Sequence, residues 1–458
     1  MARVTDMTVG NPTKLLVGFA LPMMFGNLFQ QMYSLVDTLV VGRGVGVNGL
    51  SAVGSAGWLD WFFLGNIMGL MQGFMVLISQ RFGAEDLKGM RKAVAMSIYL
   101  AIAATVLFTT VALLTARPIL EILKTPDATI DMSHSYIRIV FMGIPIIVIY
   151  NLLASILRAL GNSKVPLVAI IIASVMNIGL DVLFVIGFKW GVVGAAAATV
   201  TSQFFSAVFC FIAVLRVPQL KMEAEDFRPD WSVMGRLLKL GLPLMFNSFV
   251  ISVGGLVVQY IVNGFGPVFV AAVTAANRVC GLMEQAGVSV ATAAGTFTGQ
   301  NYGAKKFDRI RQGVNKAMMI SVSIAWILGA IVAVFARPII RFFVEDEPEV
   351  VEQVVDMAHP YMLIICGFLW MLYLLYVYRT SLQGMGDSIT PFVSGIIELI
   401  FRIGIVLALT RFVGEYGVYF AEVSAWAGAA VLLVTVYYVK LNKLCPRGKR
   451  SPEAGIEA

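Results

Sequence analysis

The chain has 458 residues, 59% hydrophobic and only 13% charged, with a mean hydropathy of +0.83. Ordinary soluble domains carry about 25% charged residues, so this balance excludes one and indicates an all-α integral membrane protein, whose helices satisfy their own backbone in lipid. The formal net charge of +7 calls for no nucleic-acid partner, because basic loops beside a bilayer face anionic lipid headgroups.

Apolar windows long enough to cross a bilayer, about 20 residues, run over 15–41, 58–79, 96–115, 136–157, 166–186 and 193–215. A second set covers 240–262, 268–294, 318–335, 361–378, 391–410 and 418–439. About twelve transmembrane helices are predicted. The first window is too long for a cleaved signal and lacks a small-residue cleavage site. Placing both termini in the cytoplasm puts about 24 of the 34 Lys and Arg in cytoplasmic segments and about eight outside, including the basic tail after 440. Cys210, Cys280, Cys366 and Cys445 form no CxxC pair, so neither a disulfide framework nor a structural metal is expected.

The first window carries one formal charge between Lys14 and Arg43, Asp37. An Asp at mid-helix costs about 2.5–3.5 kcal/mol on translocon scales, so it reads as functional. Gln30, Tyr33 and Asp37 recur on one helical face, and Pro22 can bend the helix. The fifth window holds a second isolated acid, Asp181, four residues after Asn177 and on the same face. The sixth adds Thr199 and Thr201 in a small apolar run. These oxygen-bearing groups could bind a proton or a small hard cation such as Na+. Met32, Asn151 and Met176 are expected toward a central cleft with Gln30 and Tyr33.

The two sets repeat. QRFGAED at 80–86 matches QNYGAKK at 300–306, and 116–119 matches 336–339. LRALGNSKVP at 157–166 matches LQGMGDSITP at 382–391. An offset of roughly 220 to 226 residues is kept throughout. Six spans per half make the repeat parallel, in two six-helix bundles, 1–222 and 223–458, with substrate expected near the midplane between them. Residues 215–239 read as a charged linker. Gly83 and Gly303 are expected to stop a helix before a surface helix, and the GNSKVP and GDSITP segments to form tight turns. His134 and His359 are placed in outer loops as helix caps.

The second half lacks the acids of the first: Val258 stands opposite Asp37, and Arg402 and Val406 opposite Asn177 and Asp181. Glu398 and Arg402, four apart, are expected to neutralise each other. Arg278 and Glu284 share the eighth window, with a structural or a transport role open to each. Glu422 is placed near a helix end. No HExxH, GxSxG or paired intramembrane His is present, so an enzyme is not expected.

Taken together, the twelve windows, the paired loops and the first-helix acid resemble the multidrug and toxic compound extrusion (MATE) family, over nearly the whole chain. The resemblance implies a prokaryotic inner-membrane antiporter, monomeric and without cofactor, that exports amphipathic, often cationic, drugs or metabolites in exchange for H+ or Na+. It also implies a cation site at Asp37, Asn177, Asp181 and Thr199. The chain lacks the seventh- and tenth-helix carboxylates of the NorM-like branch and looks more like the DinF-like branch. A lipid-linked precursor flippase of the same superfamily is the alternative, though the isolated charges of the first half are acidic, not basic.

Overall fold

The computed structural model describes residues 4–123, 125–344 and 347–446; most of the basic tail, and the expectation placed on it, lies outside them. The described residues form α-helices and no strand. They are α1 (Pro12–Val45), α2 (Val47–Gly83), α3 (Leu87–Ile122), α4 (Asp127–Met142), α5 (Ile144–Ala159), α6 (Lys164–Asp181) and α7 (Gly191–Leu215). Then follow α8 (Trp231–Asn263), α9 (Pro267–Gly303), α10 (Phe307–Val334), α11 (Ala336–Phe342), α12 (Pro348–Gly384), α13 (Ile389–Val413) and α14 (Tyr416–Leu444).

Ten of these are long and apolar enough to cross a membrane, and α4 with α5 makes an eleventh, bent by 46°. The bend falls at Gly143-Ile144-Pro145, because Pro145 has no N–H to continue the helix. Helix α9, expected from the sequence as a further span, equals α2 in length at 37 residues but is not apolar enough to pass as one. Its second half, 286–299, is mostly Ala, Gly, Ser and Thr, and is buried. Such residues let neighbouring backbones approach in place of lipid contact.

The chain divides into two compact units, one of residues 1–6 and 18–249, the other of 7–17 and 250–458. In the first, α2 and the start of α8 meet at Gly73, whose added Cβ would stand 2.3 Å from Gly241 Cα. The charged segment before α8 is folded down, with the buried Asp226 accepting from Arg91 Nε at 3.0 Å and the Phe227 carbonyl accepting from Tyr99 at 3.0 Å. In the second unit α9 and α12 are packed on Gly287, where a Cβ would meet the Tyr373 ring at 2.6 Å. Two hydroxyls tie the pair, Tyr373 to the Met283 carbonyl at 2.5 Å and Thr380 to the Ala291 carbonyl at 2.6 Å. Near the start of the chain, Met7 donates to Gln300 Oε1 at 2.7 Å and accepts from Asn301 and Arg309.

The repeated loops obey turn chemistry. Gly161 and Gly386 take φ +74° and +82°, and the next residue caps the following helix: Asn162 Oδ1 accepts from Val165 N, and Asp387 Oδ1 from Thr390 N. At the other pair α2 and α9 do end at Gly83 and Gly303, but the left-handed residues are Glu85 and Lys305, at φ 58° and 57°. No separate surface helix follows them; the charged residues are the first turns of α3 and α10 themselves. His134 and His359 are not loop residues, for they lie well inside α4 and α12 and cap neither.

Candidate functional site

The first unit sets its isolated acids side by side through helix register. Cβ atoms added at Gly26 and Gly44 would press on Ile170 at 3.3 Å and Val185 at 2.6 Å. Contacts that advance together along both chains mean that α1 and α6 run in the same direction, which sets Asp37 level with 177–181. The α7 helix runs the other way, because Ser206 Oγ donates to the Ala169 carbonyl at 2.6 Å while a Cβ added at Gly194 would stand 3.0 Å from the Phe184 backbone. That register sets Thr199 level with Asn177.

Directly after Asp181 the helix widens into a π-helical turn, Val182–Gly187, a feature frequent at functional sites. Phe184 stacks on Trp190 with ring centroids 5.0 Å apart, closing the turn against the start of α7. Asn177 and Asp181 are buried, at 1% and 0% exposure. The Asp37 and Asp181 carboxyls lie within hydrogen-bonding reach of each other. When both are ionised neither can donate. Asp37 Oδ1, both Asp181 oxygens and both Asn177 amide atoms then have no hydrogen-bond partner among the described residues.

Around this group the expected residues divide. Tyr33 lies within electrostatic reach of Asp37 and Asp181. Gln30 and Met32 are exposed, and Met176 and Pro22 half-buried. Asn151 is buried, its amide donating to the Ile147 carbonyl of its own helix at 2.8 Å. Two further groups were not singled out from sequence. Asp60 of α2 and Tyr136 of α4 join the same electrostatic cluster as Tyr33 and Asp37. The signal for Asp60 was present, an acid near the start of the apolar window 58–79.

In the second unit the ion pairing differs from expectation. Glu398 pairs with Arg379, which also donates to Ser394 Oγ at 3.1 Å. Arg402 pairs with Glu422 at 2.8 Å. The i, i+4 pair between Glu398 and Arg402 does not form, because each has a better-placed partner on a neighbouring helix. Glu422, near the start of α14, joins this network through Arg402. Glu284 stands beside it, near Tyr376, Glu422 and Arg402. The positions matching Asn177 and Asp181 thus hold a neutralised arginine and the fully buried Val406.

The MatE family model matches residues 22–183 and 243–409. The chain belongs to the MATE family. The MATE model thus matches both halves of the repeat. Among curated relatives it is similar to the probable multidrug resistance protein YpnP of Bacillus subtilis (strain 168), 29% identical over 346 residues, 76% of this chain and 77% of that one. It is also similar to the multidrug export protein MepA of Staphylococcus aureus (strain MRSA252), 23% identical over 438 residues and 94% of each. Among solved structures it resembles MATE in complex with MaL6, with a TM-score of 0.90, 24% identity and coverage of 96% and 98%. An outward-facing multidrug resistance MATE family transporter of the MOP superfamily gives a TM-score of 0.89, again at 24% identity, covering 96% and 99%. The two-lobe MATE fold and a multi-pass membrane protein of a multidrug efflux family follow.

Proposed function

We propose that this MATE protein is a secondary antiporter that exports small amphipathic molecules, driven by H+ or Na+ entering a site made by Asp37, Asn177, Asp181 and Thr199. One observation carries the reading: buried carboxylate and amide atoms gathered among apolar helices with no hydrogen-bond donor or cation facing them among the described residues. An unpaired buried charge is too costly to persist, so the pair favours a shared proton or a monovalent cation held by carboxylate, amide and hydroxyl oxygens. Among the described residues no group of three His, Cys, Asp or Glu side chains is gathered as metal ligands, which favours such an ion over a divalent one. One charge crossing 100 mV supplies about 2.3 kcal/mol, and one pH unit about 1.4 kcal/mol. Either suffices for uphill export by roughly tenfold or more.

Pro22, which removes the hydrogen bond to the Gly18 carbonyl, is the point where α1 bends as occupancy of the site changes. Gln30, Tyr33, Asn151 and Met176 are assigned to substrate contact. The protein works as a monomer in the prokaryotic plasma membrane with both termini cytoplasmic. The test is counterflow in proteoliposomes under imposed pH or Na+ gradients. Asp37→Asn and Asp181→Asn should each abolish gradient-driven uptake while leaving the protein folded; normal transport by both variants under either gradient overturns the site.

A further inference from the structure

We propose that the second unit carries an anion-binding pocket centred on Arg278, suited to an amphipathic molecule with one carboxylate, phosphate or sulfonate head. A cavity of about 690 Å³ opens where α8 meets α9, lined by Asn263, Pro267, Val270, Thr274, Arg278 and Phe343, among others. Its volume lies in the range of about 300–1,000 Å³ that holds drug-sized ligands. Val270, Thr274 and Arg278 follow one another at four-residue steps and so form a stripe down one face of α9. At 1.5 Å per residue Arg278 stands about 16 Å along the helix from Pro267, within an apolar window where a charge is expensive and ordinarily paired.

Two buried arginines, Arg379 of α12 and Arg402 of α13, obey that rule. Arg379 is paired with Glu398 and Arg402 with Glu422. Arg278, exposed where those two are buried, makes no ion pair among the described residues and lines the cavity. The polar groups around it are donors. Arg278 offers a planar fork of N–H groups, Thr274 a hydroxyl, and Asn263 its amide N–H, since its Oδ1 is already taken by Gln259 at 2.8 Å. No carboxylate lines the cavity among the described residues. Five or more donors, with no carboxylate beside them among the described residues, match an oxyanion, which Arg binds through two parallel hydrogen bonds. Phe343, Val270 and Pro267 supply the apolar wall for the rest of the ligand. The anion could come from a lipid headgroup or from a free solute, and the chemistry of recognition is the same.

The experiment titrates hexyl phosphate into the purified full-length protein in phosphatidylcholine nanodiscs by calorimetry, with hexyltrimethylammonium as the cationic control. No gradient is involved, so the result is independent of the coupling site. Wild type should bind the phosphate, with Arg278→Gln weakening it by about tenfold or more and leaving the cationic control unchanged. Arg278→Lys, which keeps the charge and loses the fork, and Thr274→Val, which loses one donor, should each weaken binding by about threefold, giving a reading even if the glutamine variant does not fold. Repeating the titration in phosphatidylglycerol nanodiscs separates the sources. A lower apparent affinity in wild type alone marks a lipid headgroup as the occupant, and unchanged affinity marks a free anion. No binding by wild type, or equal binding by all three variants, overturns the assignment.

Discussion

A single charge among apolar residues is the most readable feature of this chain at the scale of the residue. Asp37 and Asp181 stood out because nothing else in their windows could explain them, and helix register then sets both level with Asn177. Asp60 was harder to read, and the partners of Glu398 and Arg402 were unreadable, because tertiary neighbours outcompete a four-residue spacing. Their pairing makes a sharp prediction. Arg379→Leu leaves Glu398 buried and uncompensated, at a cost of about 3–5 kcal/mol, whereas Arg379→Leu with Glu398→Leu should recover most of that loss. Thermal unfolding of the detergent-solubilised variants measures both. Asp387, in the turn between α12 and α13, makes a second. Burial works against its charge, but Lys440 and the Thr390 hydroxyl and amide outweigh burial and hold its carboxyl below the usual carboxylate range. A depressed folded-state value means that its contribution is complete above the unfolded value of about 3.9 and fades as pH falls through the folded one. Asp387→Asn should therefore lower stability by about 1–2 kcal/mol at pH 7. The gap to wild type should narrow below about pH 4, as read by thermal scans across that range.

Elements were legible where turn chemistry repeats and less so where packing decides. Gly161 and Gly386 with Asn162 and Asp387 could be read as paired turns because the backbone there demands φ > 0 and a cap. The bend between α4 and α5 and the π-helical turn after Asp181 were not among these, although Pro145 supplies the local break for the first. In α9 packing decides: its small and polar residues are buried against α12 rather than facing lipid. Close packing of this kind also governs α2. An added methyl at Gly73 would stand 2.3 Å from Gly241 Cα and 2.5 Å from Gly241 N, and backbone cannot swing aside as a side chain does. Gly73→Ala should cost about 1–3 kcal/mol through this overpacking, while Gly54→Ala, where a Cβ meets nothing within 4 Å, should be neutral or slightly stabilising within the same helix. Parallel melts of the two variants separate overpacking from a general effect of glycine replacement.

For the whole molecule, the repeat seen in the loops is the same one that the MATE model matches twice, yet the two halves have diverged in chemistry. The first keeps unpartnered acids, and the second neutralises its buried charges in pairs. Divergence leaves parity as the physical constraint on topology. Ten helices pass as spans on length and hydropathy, eleven with the bent pair, and α9 would make twelve if it crosses. An odd number would put the two ends of the chain on opposite faces of the membrane, an even number on the same face. With an even count and both termini on one face, about 24 of the 34 Lys and Arg fall on that face, as expected of a cytoplasmic side. Fluorescent-protein fusions, which mature in the cytoplasm, should therefore light up at the chain's start, in the segment between α7 and α8 and after α14. An export-dependent phosphatase should be active only when fused in segments such as 188–190 or 264–266. If the fusion after α14 reports the opposite side from the one between α7 and α8, α9 or one of its neighbours does not cross. The second half would then be no parallel copy of the first.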